Sequence, residues 1–219
     1  LLPVFHRGQR PAARTGGEKR MTRILSALLA TLLLAGCGGQ PGGLQQARVQ
    51  VQADLPVADA WNLLSDFGLA HNYVPGLTRT EIVSAQTGGI GAHRRVYDAD
   101  GDYLEETITA WQEGSGFTIR LHEGDAVMAP FEQVFFDYRL DAAGGDRTDI
   151  TLSLRFAMPW GDLGAWLGDT FIRPAMESEL VQVAAGMKAF YETGRPASDA
   201  DRERLAPQVV VSGDAVAGP

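Results

Sequence analysis

A single cysteine, Cys37, stands among 219 residues, so no disulfide can close within the chain and no cysteine-rich metal centre can be built. Histidine is scarce as well. His6, His71, His93 and His122 show no ligand spacing, and no metal site is expected. The compact catalytic signatures are missing: there is no Gly-x-Ser-x-Gly, no His-Glu-x-x-His and no glycine-rich phosphate loop. No apolar run approaches the roughly 20 residues needed to span a bilayer as a helix. The longest, residues 24–35, is far shorter. Positive charge is also in deficit, with 19 Lys and Arg against 27 Asp and Glu, a formal net charge of −8. Residues 1–36 hold six of those basic residues and one Glu, a net +5, which leaves −13 on the remainder. A surface that negative repels nucleic acid and anionic lipid headgroups, so neither is expected as a partner.

What is present begins with the N-terminal pattern. Arg23, the run of Leu, Ala and Ile over 24–35, and small residues before Cys37 have the order of a secretory signal, with Met21 as a plausible start. Leu34-Ala35-Gly36-Cys37 resembles the bacterial lipobox, whose cysteine takes a diacylglyceryl group and becomes the mature N-terminus. Several acyl chains on one residue would give stable anchoring. The reading is then residues 1–20 as mis-called upstream sequence, 21–36 as a lipoprotein signal peptide, and 37–44 as lipidated Cys37 plus a Gly/Pro tether. An ordinary signal peptide containing a cysteine is the alternative. Gly38 is not Asp; Asp there resembles an inner-membrane retention signal, so the outer membrane is favoured if the host is Gram-negative. The expected location is the cell envelope, on the periplasmic face.

The remainder is long enough for one domain with its own core. Residues 46–53 alternate Ala47, Val49, Val51 and Ala53 against Gln and Arg, as a half-buried strand does. Pro56 suits the first turn of a helix carrying Ala60, Trp61, Leu63 and Leu64. Six further strand-like runs follow over 78–156, separated by Gly88-Gly89, Asp100-Gly101, Gly114-Ser115-Gly116 and Gly144-Gly145, which suggests an antiparallel meander. A long helix is expected over 163–193, with Ile172, Met176, Leu180, Val183, Met187 and Phe190 on one stripe. Pro174 should kink it or mark its true start, and Gly194 should cap it. Residues 194–219 are polar and rich in Pro, Gly and Ala, and are expected to be disordered.

Several local groups go further than this outline. Leu55-Pro56-Val57, Trp61, Ser65-Asp66-Phe67, Tyr73 and Pro75-Gly76 come first; Gly91-Ala92-His93-Arg94-Arg95-Val96, Asp100-Gly101 and Leu104-Glu105-Glu106 follow. Together they resemble a polyketide cyclase/dehydrase-type member of the START-like (SRPBCC) superfamily over roughly residues 46–193. The resemblance implies an α+β helix-grip fold spanning 45–193: a curved antiparallel sheet of about seven strands wrapped around a long C-terminal helix, with two short helices after strand 1. It also implies an apolar cavity between sheet and helix.

The hairpin of residues 92–111 can be registered from its turn. Ala99-Asp100-Gly101 fits a three-residue loop with Gly in the left-handed position. Val96 then opposes Leu104, and Arg94 opposes Glu106. Side chains alternate across a strand, so Ala92, Arg94, Val96, Leu104, Glu106, Ile108 and Ala110 share one face, while Trp111 falls on the other. The first set is aliphatic apart from one opposed charge pair and should face the cavity. Burying such a pair is costly and rarely stabilises more than an apolar replacement. That cost invites a functional role: Arg94 as a fork for a carboxylate, phosphate or enolate, with Glu106 holding the guanidinium. A satisfied buried pair closing one end of the sheet is the other reading, and a one-residue slip would turn both side chains to water. Tyr138, on the inward stripe of a later strand, is the third candidate ligand-binding residue, because an inward phenol needs a partner.

No catalytic residue and no cofactor is assigned. The residues favour a membrane-tethered lipoprotein that binds a small hydrophobic or amphipathic ligand, as carrier, scavenger or sensor. A polyketide cyclase or dehydratase using Glu106 or Tyr138 to move protons is the enzymatic alternative. An accessory protein docking on an envelope protein partner through its acidic surface and its 209–211 tail is the third.

Overall fold

The computed structural model describes residues 44–124 and 126–212. The expected signal peptide, Cys37 and nearly all of the tether lie outside the described residues, as do 213–219.

Among the described residues nine strands form one antiparallel sheet: β1 (Gln45–Ala53), β2 (Arg79–Ile82), β3 (His93–Tyr97), β4 (Tyr103–Gln112), β5 (Gly116–Glu123), β6 (Ala126–Val127), β7 (Gln133–Ala142), β8 (Thr148–Ala157) and β9 (Val210–Val211). Their order is β2-β3-β4-β5-β7-β8-β1-β9, with β6 paired to β5. Seven of these are the expected strands; the two others are the two-residue strands β6 and β9. Between β1 and β2 come the helix α1 (Val57–Ser65) and a 3-10 turn, Phe67–Asn72, the two short helices expected there. Asp66 opens that turn by accepting a hydrogen bond from the Gly68 amide at 3.0 Å.

The long element comes in two helices joined without a break: α2 (Gly161–Leu167), a π-turn (Gly168–Ile172) and α3 (Arg173–Thr193). Pro174 explains the wide turn. It has no N–H for the carbonyl four residues back, and its ring would strike that carbonyl in a regular α-helix. Opening the helix to π geometry just before it removes the conflict. At the other end Gly194 adopts φ 68° and its amide returns to the Phe190 carbonyl at 2.8 Å, as a C-terminal cap should.

The sheet curves around α3, and the buried side chains between them form one core. The two surfaces meet most closely at small residues. Ala47 and Ala53 on β1 and Ala184 on α3 are fully buried. A Cβ at Gly186 would overlap the Tyr73 carbonyl oxygen, so only glycine lets the 67–73 segment lie against the helix.

The reading of residues 194–219 as disordered is corrected for those described. Ser198 and Asp201 form a reciprocal capping box that starts α4 (Asp199–Leu205). Leu205 is buried against Ala185 and Ala189 of α3, and β9 pairs with Val49 and Gln50. Average composition over 26 residues hid one strong helix start and one apolar anchor. The strand also covers part of the β1 edge, which would otherwise offer unpaired backbone groups. No helix among the described residues is long and apolar enough to cross a membrane.

Candidate functional site

The β3–β4 hairpin has the register expected from its turn. Arg94 pairs with Glu106, Val96 with Leu104, and Gly101 takes φ 84°. Ala92, Arg94, Val96, Leu104, Glu106 and Ile108 are all buried on the concave side. The expectation fails two residues later. A bulge between Ile108 and Ala110 reverses the alternation, leaving Ala110 exposed and turning Trp111 inward. Trp111 then stacks on Phe117 at 5.5 Å and meets Trp61 edge-on at 4.9 Å.

Between the concave face and the first half of α3 lies a cavity of about 440 Å³. Leu104, Leu121 and Leu154 of the sheet, Met128 of the β6–β7 connection, and Met176, Leu180 and Val183 of α3 make most of its wall. Val74, Pro75, Gly76 and Leu77 close one side, and Asp98 and Glu179, both partly exposed, stand where it meets solvent. Deeper in, two polar side chains interrupt the apolar lining: Glu106 and Tyr138.

Arg94 is placed differently from Glu106 and Tyr138. It is 1% exposed, is not part of the cavity lining, and its donors are engaged within the protein. Nε donates to Glu106 Oε2 at 2.6 Å, and Nη2 meets the same oxygen. Nη1 donates to the Phe67 carbonyl at 2.6 Å, while the guanidinium lies 3.9 Å above the Phe67 ring. Its expected role as a fork reaching a ligand is therefore corrected: Arg94 holds Glu106 and fastens the Phe67–Asn72 turn to the sheet. Both of its contacts with the carboxylate converge on Oε2. No described residue bonds Oε1, so Glu106 keeps one acceptor oxygen for whatever enters the cavity.

Tyr73 was absent from the expected site and, like Arg94, is buried behind the cavity wall rather than in its lining. Its hydroxyl interacts with both the Arg94 guanidinium and the Tyr138 hydroxyl. Tyr73 sits in the connector after α1, far from both in sequence; it is one of the residues that carry the family resemblance, but nothing in its neighbourhood marks it as a partner of Arg94 and Tyr138. Burial pushes the Tyr138 phenol well above its ordinary value, with Tyr73 beside it adding to the rise; Tyr73 is raised by burial too, though Arg94 works against it. Both stay protonated at any ordinary pH. Burial works to lower the Arg94 pKa, but the Glu106 carboxylate and the two phenols outweigh it and raise it above the usual value. The guanidinium therefore remains charged. The result is a carboxylate acceptor and a phenol donor set in an aliphatic wall. Such a wall suits an apolar molecule carrying a single polar group, whose hydroxyl, amine or carbonyl would be read by Glu106 or Tyr138. The same groups could also move a proton on such a molecule.

The three histidines in the described residues do not gather there. His71 lies at the 3-10 turn with its Nδ1 3.2 Å from the Thr80 hydroxyl, and His93 and His122 face the convex side. Among the described residues no group of three His, Cys, Asp or Glu side chains could hold a metal ion.

Solved structures share this architecture at low sequence identity. A protein of Nitrosospira multiformis superposes with a TM-score of 0.55 at 16% identity, covering 68% of this chain and 98% of its own. The Zhui aromatase/cyclase of Streptomyces sp. R1128 gives 0.53 at 15% identity, covering 68% and 94%. A truncated norcoclaurine synthase of Thalictrum flavum gives 0.54 at 14% identity, covering 70% and 97%. Likeness at these identities establishes the helix-grip fold, not a shared activity. No curated protein matches the chain in sequence. The family described as polyketide cyclase/dehydrase and lipid transport, however, matches residues 45–192, from the first residue of β1 to the penultimate residue of α3. With more than half of its length covered, the chain belongs to the polyketide cyclase/dehydrase and lipid transport family.

Proposed function

We propose that this chain is a membrane-tethered, extracytoplasmic binding protein that carries, scavenges or senses a small hydrophobic or amphipathic molecule. The observation that carries the reading is the cavity: about 440 Å³, walled by aliphatic and methionine side chains, with Glu106 and Tyr138 as its deep polar groups. That volume falls within the range of small-molecule sites, and an apolar wall with few polar groups is the usual composition of one. Tethering is read from the lipobox-like Leu34-Ala35-Gly36-Cys37 and places the domain in the cell envelope, on the periplasmic face and at the outer membrane if the host is Gram-negative.

Native mass spectrometry of the full chain, extracted from its own host's envelope, tests the binding half. A bound small molecule that is lost when Leu180→Trp fills the cavity supports the reading. A chain that stays empty in every gentle extract overturns it. Glu106→Gln and Tyr138→Phe should weaken retention without abolishing it, because each removes one polar contact and leaves the apolar wall.

A second reading is favoured by the unbonded Glu106 oxygen near a protonated phenol: acid–base chemistry on a polyketide-like substrate, of the kind the family description includes. Under that reading Glu106→Gln abolishes turnover while binding survives. Turnover unchanged by Glu106→Gln would dismiss it.

A further inference from the structure

The helix α2 is built the wrong way round for a surface helix. In a soluble protein the apolar side of such a helix faces the core and the polar side faces water. Here glycines face inward. Gly164 and Gly168 are buried, and a Cβ at either would overlap its neighbour: the Pro159 carbonyl for the first, the Gln45 side chain for the second. The large apolar residues face outward. Trp160, Leu163, Trp166 and Phe171 are between 48% and 68% exposed. Leu163 and Trp166 fall three apart on α2, Trp160 is the residue before its first turn, and Phe171 of the π-turn meets Trp166 edge-on at 5.9 Å. Of the other exposed large hydrophobics among the described residues, Val83, Ile90, Tyr103, Val210 and Val211 belong to the β2–β3 region, β4 and β9, while Leu44 immediately precedes Gln45 of β1.

Two further observations indicate what covers this edge. The domain's first residues lie against it: the Gln45 side-chain amide donates to the Ala165 carbonyl, and Gly168 packs on the same side chain. The chain therefore joins the domain beside α2, and Cys37 is only eight residues before Gln45. Even fully extended, that segment reaches ~28 Å. The edge also lacks an excess of positive charge. Residues 160–173 hold Asp162, Asp169 and a single basic residue, Arg173, whose Nη2 lies 3.3 Å from Asp169 Oδ1. An anionic surface would be repelled, whereas indole rings settle readily at the headgroup level of a neutral bilayer.

We propose that Trp160, Leu163, Trp166 and Phe171 form a docking edge that inserts into the headgroup region of a zwitterionic bilayer. The choice of a bilayer over a second copy of the chain rests on the tethering part of the proposed function. The consequence bears on the cavity. Met176, which lines it, follows Phe171 by five residues, an axial rise of ~8 Å. An inserted edge therefore brings the end of α3 that walls the cavity close to the lipid, and an apolar molecule could pass between the two with little exposure to water.

Fluorescence of the full chain reconstituted in phosphatidylcholine vesicles, with acyl chains brominated near the headgroup, tests this. The chain has four tryptophans, and Trp61 and Trp111 pack on one another inside the domain as an internal control. Bromine should remove the Trp160 and Trp166 share of the emission, and the unbrominated vesicles should shift its maximum to the blue. Trp160→Phe with Trp166→Phe should leave an emission that bromine does not touch. Leu163→Asp with Phe171→Asp keeps all four indoles and should lose both quenching and shift. A vesicle-bound chain that is unquenched and emits as in water overturns the proposal. So does an unquenched blue shift that grows with protein concentration, which would assign the edge to a second copy. The intact mass of the purified chain reads the tether separately: an unacylated Cys37 removes the tethering reading, while quenching still decides the docking edge.

Discussion

The β3–β4 hairpin carries two arginine–glutamate pairs one residue apart, and they lead opposite lives. Arg94–Glu106 points into the concave face and Arg95–Glu105 to the convex one, in the same register of the same two strands. The inner arginine is sealed and fully occupied, and its carboxylate partner keeps one oxygen for the cavity. The outer arginine is more than a third exposed and lies 4.6 Å from the Tyr103 ring. Its partner Glu105 is the buried member, accepting from Arg95 Nε at 3.0 Å and from the Gly124 amide at 2.7 Å, with His93 and His122 close by. Identical chemistry is thus put to two uses. The inner pair presents a charge to a ligand space, whereas the outer pair ties the β5–β6 turn to the sheet.

The largest expected difference comes from removing each arginine. Arg94→Met leaves Glu106 charged in an apolar wall and the Phe67 carbonyl without its donor, at a cost of about 3–5 kcal/mol. Urea denaturation reads this as a lower midpoint. A loss below about 1 kcal/mol would mean that water reaches the inner pair freely. Arg94→Met combined with Glu106→Leu should recover most of the stability, because a buried pair replaced whole by apolar groups is close to neutral. The double variant should still bind poorly if a ligand uses the free Glu106 oxygen. Arg95→Ala should cost about 1 kcal/mol or less, since the arginine is partly solvated and Glu105 keeps its bond from Gly124.

The smallest effect is a dependence on acid. Burial acts to raise the Glu105 pKa, but Arg95 and the Gly124 amide outweigh it and hold the carboxyl below its ordinary 4.5. Burial lowers the His93 pKa below 6.5, with Glu105 opposing only in part. In both cases the unfolded chain binds the proton more readily. Stability is complete above the unfolded values and declines as pH falls, first through 6.5 for His93 and then through 4.5 for Glu105. A titration of unfolding free energy should show a shallow acid limb that Glu105→Gln flattens. An unchanged limb in that variant would place the acid sensitivity elsewhere.

How much of this could be read beforehand depended on whether the information was local. The turn Ala99-Asp100-Gly101 is local, so the pairing of Arg94 with Glu106 and its concave placement followed from the residues alone. The bulge after Ile108 has no residue signature in Thr109 or Ala110, and the inward turn of Trp111 therefore escaped. The reach of Arg94 depended on the Phe67 carbonyl, 27 residues earlier, and on Tyr73 packed beside it. Only tertiary structure brings those together, and with them in place the arginine could no longer be a ligand fork. Residues 194–212 show the opposite failure. Ser198 and Asp201 are a local signal, but a composition average over the whole segment diluted it.

The helix α3 separates two kinds of constraint along its length. Its cavity-lining residues, Met176, Glu179, Leu180 and Val183, all belong to the first half, while Ala184 and Gly186, where the helix touches the rest of the domain most closely, begin the second. A lineage could therefore exchange the first set to suit a new cargo while the seam that holds the fold together stays unaltered. Diversification of what is carried need not be purchased with stability, and a single helix can record two histories that change at different speeds.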